Sequence, residues 1–123
     1  MTKQPWTIES HELLSRADAV MREHRVRHLP VVDNGELVGI VSDRDLWMFQ
    51  SESAQRASRV RNAMNEFVFA VTTNAPIDAV VRTMSERKLG SAVILTDRGA
   101  VEGIFTVVDA CRALAEILDR TVA

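Results

Sequence analysis

The sequence predicts an α/β (α+β) fold in which two β-α-β-β-α motifs, related by a pseudo-twofold axis, pack sheet to sheet as one compact module. Two observations lead to this prediction. The 123-residue chain contains the same pattern twice, and each copy alternates short β-prone runs with a stretch of helical periodicity. Because one copy of about 55 residues would bury little apolar surface, the two copies are expected to share a core.

The repeat is clearest where each copy ends in glycine, isoleucine, a hydrophobic residue, and then serine or threonine with an aspartate three residues later. Residues 30–45 align with residues 93–109, and Gly39 and Gly103 lie 64 positions apart. Upstream, Met21 and Met84 lie 63 positions apart, so the second copy has one inserted residue. We expect this insertion in the turn between the two later strands, because loops tolerate changes in length.

The elements of each copy follow in a fixed order. A short strand is predicted at residues 6–8 and 69–71, and an amphipathic helix follows it. The helix prediction rests on apolar residues at helical spacing, which are Leu14, Ala17, Val20 and Met21 in the first copy and Ile77, Val80, Val81 and Met84 in the second.

A hairpin and a closing helix complete each copy. Asn34-Gly35 predicts a tight turn because both residues tolerate a positive φ, whereas Arg98-Gly99 with the inserted residue favours a bulged turn. The closing helices are predicted over residues 43–51 and 108–118.

The segment between the copies is expected to be a linker or a solvated helix extension. Residues 50–59 are polar and have no apolar stripe, and residues 60–65 are predicted to form one or two helical turns that lead into the second copy. The first copy begins almost at residue 1, so the corresponding lead-in is predicted to be missing and its cleft to be more open or completed by a partner chain. The expected motif boundaries are 1–55 and 56–123.

Composition limits the classes of function. Fifteen basic and seventeen acidic residues give a net charge of −2, so no overall field attracts nucleic acid or an anionic membrane. Cys111 is the only cysteine, which excludes an intramolecular disulfide and a cysteine-ligated zinc site within one chain. No apolar run suits a signal peptide or a membrane span, and we therefore expect a cytoplasmic protein with no membrane partner.

The chain resembles a tandem pair of CBS domains, often called a Bateman module. The resemblance covers nearly the whole chain and is carried by residues 29–33 with 39–46, and by residues 60–65 with 103–109. It implies a stand-alone regulatory sensor that binds AMP, ADP, ATP or S-adenosylmethionine, with or without Mg²⁺, in clefts between the motifs. It implies no covalent cofactor.

The end of each motif offers groups that suit a nucleotide. A strand ends there and a helix begins with free N–H groups, and Ser42 or Thr106 can cap the helix and offer a hydroxyl to a phosphate. Asp45 or Asp109 can accept hydrogen bonds from ribose hydroxyls, as the resemblance also implies. An aspartate in the first helical turn is favoured without any ligand, so a purely structural role is the alternative.

The first copy carries more positive charge than the second. Arg22, His24 and Arg25 precede its second strand, and the helix terminus alone could account for Arg22 and Arg25. The resemblance implies phosphate contacts from Arg27 and His28, and Arg44 lies within the motif. A phosphate would raise the pKa of His28, which predicts pH-sensitive binding. The corresponding positions of the second copy are uncharged, at Gly90, Ser91 and Val108.

The resemblance also implies that adenine lies between apolar strand residues. Carried onto this sequence, the expected adenine pocket consists of Thr7, Ile8, Val71, Thr72, Ile40 and Ile104. No metal site is expected, because the three histidines lack ligand spacing on one face. No nucleophile has an adjacent base, so no catalytic residue is predicted and the protein is expected not to be an enzyme.

Three kinds of partner are considered. The first is an adenosine compound together with an unknown regulated protein and a second copy of this chain. The homodimer surface is predicted to contain Leu46, Phe49, Leu114, Ile117 and Leu118. The alternative is a ligand-free scaffold whose clefts are filled by Trp47, Met48 and Phe49. Nucleic-acid binding rests only on the basic residues between 22 and 28, and the net charge argues against it.

Overall fold

The order of elements follows the predicted repeat in a computed structural model that describes residues 2–3, 5–49, 53 and 57–122. The first copy contains β2 (Ile8–Glu9), α1 (Leu14–His24), β3 (His28–Asp33), β4 (Glu36–Ser42) and α2 (Asp43–Trp47), preceded by β1 (Thr2–Lys3). A short helix, α3 (Val60–Ala63), lies between the copies. The second copy contains β5 (Ala70–Thr72), α4 (Ile77–Arg87), β6 (Ser91–Leu95), β7 (Val101–Thr106) and α5 (Val107–Val122).

The strands form two sheets, with the orders β2-β3-β4 and β1-β7-β6-β5. In each copy the first strand pairs in parallel with the second, and the second pairs antiparallel with the third. The predicted β-α-β-β-α motif and the fold class are thereby confirmed.

The inserted residue lies in the hairpin turn of the second copy, as predicted. Asn34 and Gly35 both have positive φ, at 49° and 86°, and form a two-residue turn. In the second copy the Gly99 N–H donates to the Thr96 carbonyl at 2.9 Å, and the Thr96 N–H donates to the Ala100 carbonyl at 2.8 Å. Only Gly99 has a positive φ in this longer turn.

The closing helices differ more than the sequence predicts. α2 has five residues and ends at Trp47 instead of continuing to residue 51, because the Phe49 N–H turns back to the Leu46 carbonyl and the Phe49 side chain packs on the first core. α5 has 16 residues. Residues 50–52 and 54–56 of the predicted linker, including the boundary at 55/56, lie outside the described residues. None of the described helices is long and apolar enough to cross a bilayer.

Both faces of each sheet carry buried residues. One face packs on the helices of its own copy through Leu14, Val31 and Val41 in the first copy, and through Val80, Ile94 and Phe105 in the second. Residues that alternate with these along the strands are also buried, among them Pro30, Val32, Val93 and Ile104. Because side chains alternate between faces, the second set lies on the faces that meet between the two copies.

The segments that precede each copy cross to the other copy. Asn65, two residues after the end of α3, exchanges two backbone hydrogen bonds with Ile40 of β4, at 2.8 and 2.9 Å. Thr2, which corresponds to Asn65 in the repeat, pairs with Ile104 of β7. The expectation that the first copy lacks its lead-in is therefore corrected, because the last part of that lead-in is present as β1.

Candidate functional site

The helix that closes the first copy begins with a reciprocal cap. The Ser42 N–H and hydroxyl both donate to Asp45 Oδ2, at 2.8 and 3.0 Å, and the Asp45 N–H donates to Ser42 Oγ at 3.4 Å. These bonds satisfy backbone donors that a helix start leaves free. Asp45 therefore has a structural role, because it caps the start of α2.

The second copy repeats this geometry. The Thr106 N–H and hydroxyl donate to Asp109 Oδ2 at 2.8 and 3.2 Å, and the Asp109 N–H donates to Thr106 Oγ1 at 3.3 Å. In both copies the cap uses Oδ2 alone. Among the described residues, Asp45 Oδ1 accepts no hydrogen bond, and Asp109 Oδ1 has only a long contact of 3.9 Å with Arg112. Each carboxylate therefore keeps one oxygen available to a further donor.

An apolar wall lies beside each cap. Ile40 and Ser42 are two residues apart on β4, so they share a sheet face, and Ile104 and Thr106 do the same on β7. In the second sheet, Ala70, Val93 and Ile104 form one row across β5, β6 and β7. Each site thus presents an isoleucine, a hydroxyl and a carboxylate on the face between the copies.

The six residues predicted for an adenine pocket do not share one surface. Ile8 is buried in the first core and Val71 packs on the second core, so both lie on the helix side of their sheets. Ile40 and Ile104 lie on the face between the copies. Thr7 alternates with Ile8 and is exposed, whereas Thr72 pairs with Leu95, which pairs with Val101 at the end of β7 far from Thr106.

His28 connects the two copies. A Cβ built on Gly90 would lie 3.1 Å from His28 Nε2, so a larger residue at position 90 would require the imidazole to move by a few tenths of an ångström. Gly90 corresponds to Arg27 in the repeat. Equivalent backbone bonds hold both positions: the Asp43 N–H donates to the Arg27 carbonyl at 3.0 Å, and the Val107 N–H donates to the Gly90 carbonyl at 3.2 Å.

The charged residues of the first copy gather around His28. Burial lowers the pKa of His28, and the positive charges of Arg27 and Arg44 lower it further, whereas Asp43 and Asp45 oppose the shift. His28 is therefore neutral near pH 7 and lies within electrostatic reach of four charged neighbours. The structure brings the predicted phosphate-binding residues Arg27, His28 and Arg44 to the Ser42 cap.

Two other basic residues are placed differently. Arg22 forms an ion pair with Asp18 at 3.2 Å within α1, and Arg25 adopts the left-handed conformation that ends this helix, with φ of 55°. These positions fit the helix-terminus explanation. In the second copy, exposed Val107 and Val108 follow Thr106, so that site has an apolar entrance.

Three contributors were missed from the sequence. Asp43 acts on His28, Gly90 makes room for its ring, and Ala70 ends the row at Ile104. The repeat carried a signal for Ala70, because it corresponds to Thr7. Among the described residues, no group of three or more His, Cys, Asp or Glu side chains could hold a metal ion.

The lowered pKa of His28 predicts a pH effect on stability. The unfolded chain has the ordinary histidine pKa of about 6.5 and binds a proton more readily than the folded protein. The stability that neutral His28 contributes is present above this value and is lost as the pH falls below it. We expect the melting temperature to fall less between pH 7.5 and 5.5 in His28→Gln than in the wild type.

The control for this measurement is His11→Gln, because His11 is exposed. Comparison with this variant separates the effect of His28 from the effect of replacing an exposed histidine. An identical pH profile for His28→Gln and the wild type would contradict the predicted titration.

Comparison with known proteins also divides the chain into two copies. The family model of the CBS domain matches residues 1–46 and 60–116. The chain is 30% identical over 115 residues to a homoserine O-acetyltransferase of Methanococcoides burtonii, a match that covers 93% of this chain and 23% of that protein. It is 28% identical over 110 residues to an inosine-5′-monophosphate dehydrogenase of Mycobacterium tuberculosis, covering 89% of this chain and 20% of that enzyme. The chain spans less than a quarter of either relative.

Solved structures are similar over most of the chain. A Vibrio cholerae protein provisionally named as the acetoin utilization protein AcuB superposes with a TM-score of 0.84 and 29% identity, covering 97% of this chain and 89% of that one. The CBS domain pair of protein MJ0100, solved with 5′-methylthioadenosine and S-adenosyl-L-methionine, gives a TM-score of 0.80 and 27% identity, covering 92% and 93%. The chain therefore belongs to the CBS domain family and carries two CBS motifs in tandem.

Proposed function

We propose that this protein is a regulatory module that binds an adenosine-containing molecule between its two copies and thereby changes how it meets a partner protein. The observation that carries the proposal is the doubled arrangement of an isoleucine, a hydroxyl and a carboxylate with one available oxygen. The similar CBS pair of MJ0100 was solved with two adenosine compounds, which supports the ligand class.

Each group has a role that suits its chemistry. The free oxygen of Asp45 or Asp109 accepts a hydrogen bond from a ribose hydroxyl. Ile40 or Ile104 packs against adenine, with Thr7 or Ala70 at the edge of the same face. In the first copy Arg27 and Arg44 supply positive charge for a phosphate, and neutral His28 can donate a ring N–H. The Ser42 and Thr106 hydroxyls donate to the aspartates of the caps, so they must turn away from the cap before they can donate to phosphate.

The unequal charge predicts unequal ligands. A nucleotide phosphate, with or without Mg²⁺, suits the cationic surroundings of Asp45. S-adenosylmethionine carries a sulfonium cation, which Arg27 and Arg44 disfavour, so it suits the site around Asp109, where Gly90 and Val108 stand in the places of these two arginines. We assign phosphorylated ligands to the first motif and adenosyl ligands to the second.

A thermal-shift panel of AMP, ADP, ATP, S-adenosylmethionine and 5′-methylthioadenosine tests this function. A ligand at 100 times its Kd should add about 2.7 kcal/mol to the free energy of unfolding. Guanosine and cytidine nucleotides are the controls. The absence of any shift with all five compounds would contradict the proposal.

We further propose that two copies of the chain associate through α5. Leu114, Ile117 and Leu118 are each more than half exposed, at 54%, 55% and 52%. The predicted contribution of Leu46 is wrong, because this side chain is 5% exposed and belongs to the first core, which Phe49 also contacts. Sedimentation equilibrium measures this association.

The ligand-free scaffold remains the second candidate. It requires the protein's own side chains to fill the clefts, but Trp47 and Met48 are exposed at 66% and 87%. Their exposure favours a contact with another protein over a filling of the cleft. A dimer that forms without any ligand response would favour this candidate.

A further inference from the structure

The short helix α3 fills a groove in the first copy. Val60 is fully buried there and packs with Leu14 and Val41. Backbone bonds anchor the segment on both sides: the Leu14 N–H donates to the Ser58 carbonyl at 2.9 Å, and the Val60 and Arg61 N–H groups donate to the carbonyls of Glu12 and Ser10 at 2.8 and 3.0 Å. One helical turn with an aliphatic first residue thus completes the first core.

The second copy has the same groove, and it is open among the described residues. A cavity of about 310 Å³ lies between α4 and its sheet, lined by Val71, Ile77, Val80, Ile94 and Phe105, with Glu102 at its edge. These residues correspond in the repeat to those around Val60. The difference is measurable at one pair of positions, because Leu14 is 0% exposed and its counterpart Ile77 is 57% exposed.

The open groove also offers matching backbone groups. The counterparts of the three groups that hold α3 are the N–H of Ile77 and the carbonyls of Ala75 and Thr73. None of these three has a backbone partner within the ranges that the structure describes. An incoming segment can therefore form the bonds that α3 forms in the first copy.

Charge defines the segment further. Glu102 replaces Val38 of the first copy, and no ion pair between described residues involves it. A basic residue beside the aliphatic anchor would pair with this carboxylate, as Arg59 and Arg61 flank Val60. Glu102 lies four residues before Thr106 on β7, about 13 Å along the strand from the candidate ligand site, whereas Phe105, which also lines the groove, directly precedes Thr106.

We propose that this groove is a docking site for a partner protein, and that it receives a single helical turn whose first residue is valine or isoleucine with arginine or lysine beside it. This proposal does not depend on the adenosine ligand. It names the surface through which a second protein can meet the module.

A synthetic peptide with the sequence of residues 57–65 is the probe, because it carries Val60 between two arginines. With the whole protein at millimolar peptide, we expect amide chemical-shift changes at residues 71–77, 94 and 102–105. A peptide with Val60→Asp should bind at least about tenfold more weakly, since it loses the buried anchor.

Two protein variants locate the binding. Ile77→Asp should weaken the peptide about tenfold or more and still fold, because Ile77 is exposed and an acidic residue suits the first turn of a helix. Phe67→Asp is the matched control, since it also replaces an exposed apolar residue and Phe67 does not line the cavity. Equal affinity in the wild type and Ile77→Asp would overturn the proposal.

A covalently attached segment tests the groove even when the free peptide binds weakly. Met1 corresponds to Met64 in the repeat, so a copy of residues 57–63 added before Met1 has the same connection that the native segment has to Met64. The covalent link holds the added segment at a millimolar effective concentration. We expect a higher melting temperature and slower exchange of the Ile77 amide, both lost when the added valine is aspartate. No change in either would overturn the groove, and occupation by the tethered segment alone, without the free peptide, would overturn docking of a separate partner.

Discussion

Leu14→Ala should lower the free energy of unfolding by about 3 kcal/mol, whereas Ile77→Ala should lower it by less than about 1 kcal/mol. The two residues occupy the same position of the repeat, and each is the first residue of its helix. Their sequence environments predict equal effects. Leu14 is fully buried beneath Val60, however, and Ile77 borders the open groove.

Urea denaturation of the two variants measures this difference, provided that the m-values stay equal. A double-mutant cycle gives the cause. Leu14→Ala and Val60→Ala should couple, because both side chains belong to one core cluster, whereas Ile77→Ala and Val60→Ala should add independently. Equal losses of stability for Leu14→Ala and Ile77→Ala would contradict the described asymmetry of the two copies.

The fold could be predicted from the sequence where local chemistry determines it. The strands of the two motifs, the α1 and α4 helices and the hairpin turns depend on local chemistry, such as the positive φ of Asn34 and Gly35, and were predicted, whereas β1 was not. The crossing of α3 to the first copy depends on contacts between distant residues, which periodicity does not encode. The early end of α2 has the same origin, since the packing of Phe49 overrides the helical pattern.

The candidate site could likewise be predicted only in its local parts. The serine or threonine and the aspartate of each cap were found because the cap is local and occurs twice. Strand alternation places Ile8 and Val71 on the helix side, but the motif alone did not show which face carries the ligand. The contact between His28 and Gly90 joins the two copies, so only the folded structure reveals it.

Asp45→Asn should lower the affinity for AMP about 10- to 100-fold and cost less than about 1 kcal/mol of stability. The asparagine oxygen can still accept from the Ser42 N–H, so the helix cap survives. The amide has no second carboxylate oxygen to accept a hydrogen bond from ribose. Calorimetric titration measures the affinity, and Asp97→Asn, in an exposed turn, controls for the loss of one negative charge.

Asp109→Asn is the matching variant of the second site, because the two sites have the same cap and differ in their neighbouring charges. If cations select the ligand, Asp45→Asn should weaken AMP more than 5′-methylthioadenosine, and Asp109→Asn should do the reverse. 5′-Methylthioadenosine has a thioether in place of a phosphate, so Arg27, His28 and Arg44 add nothing to its binding. Equal losses of both ligands in both variants would mean that the basic residues around His28 do not select between the sites, although the carboxylates would still bind ribose.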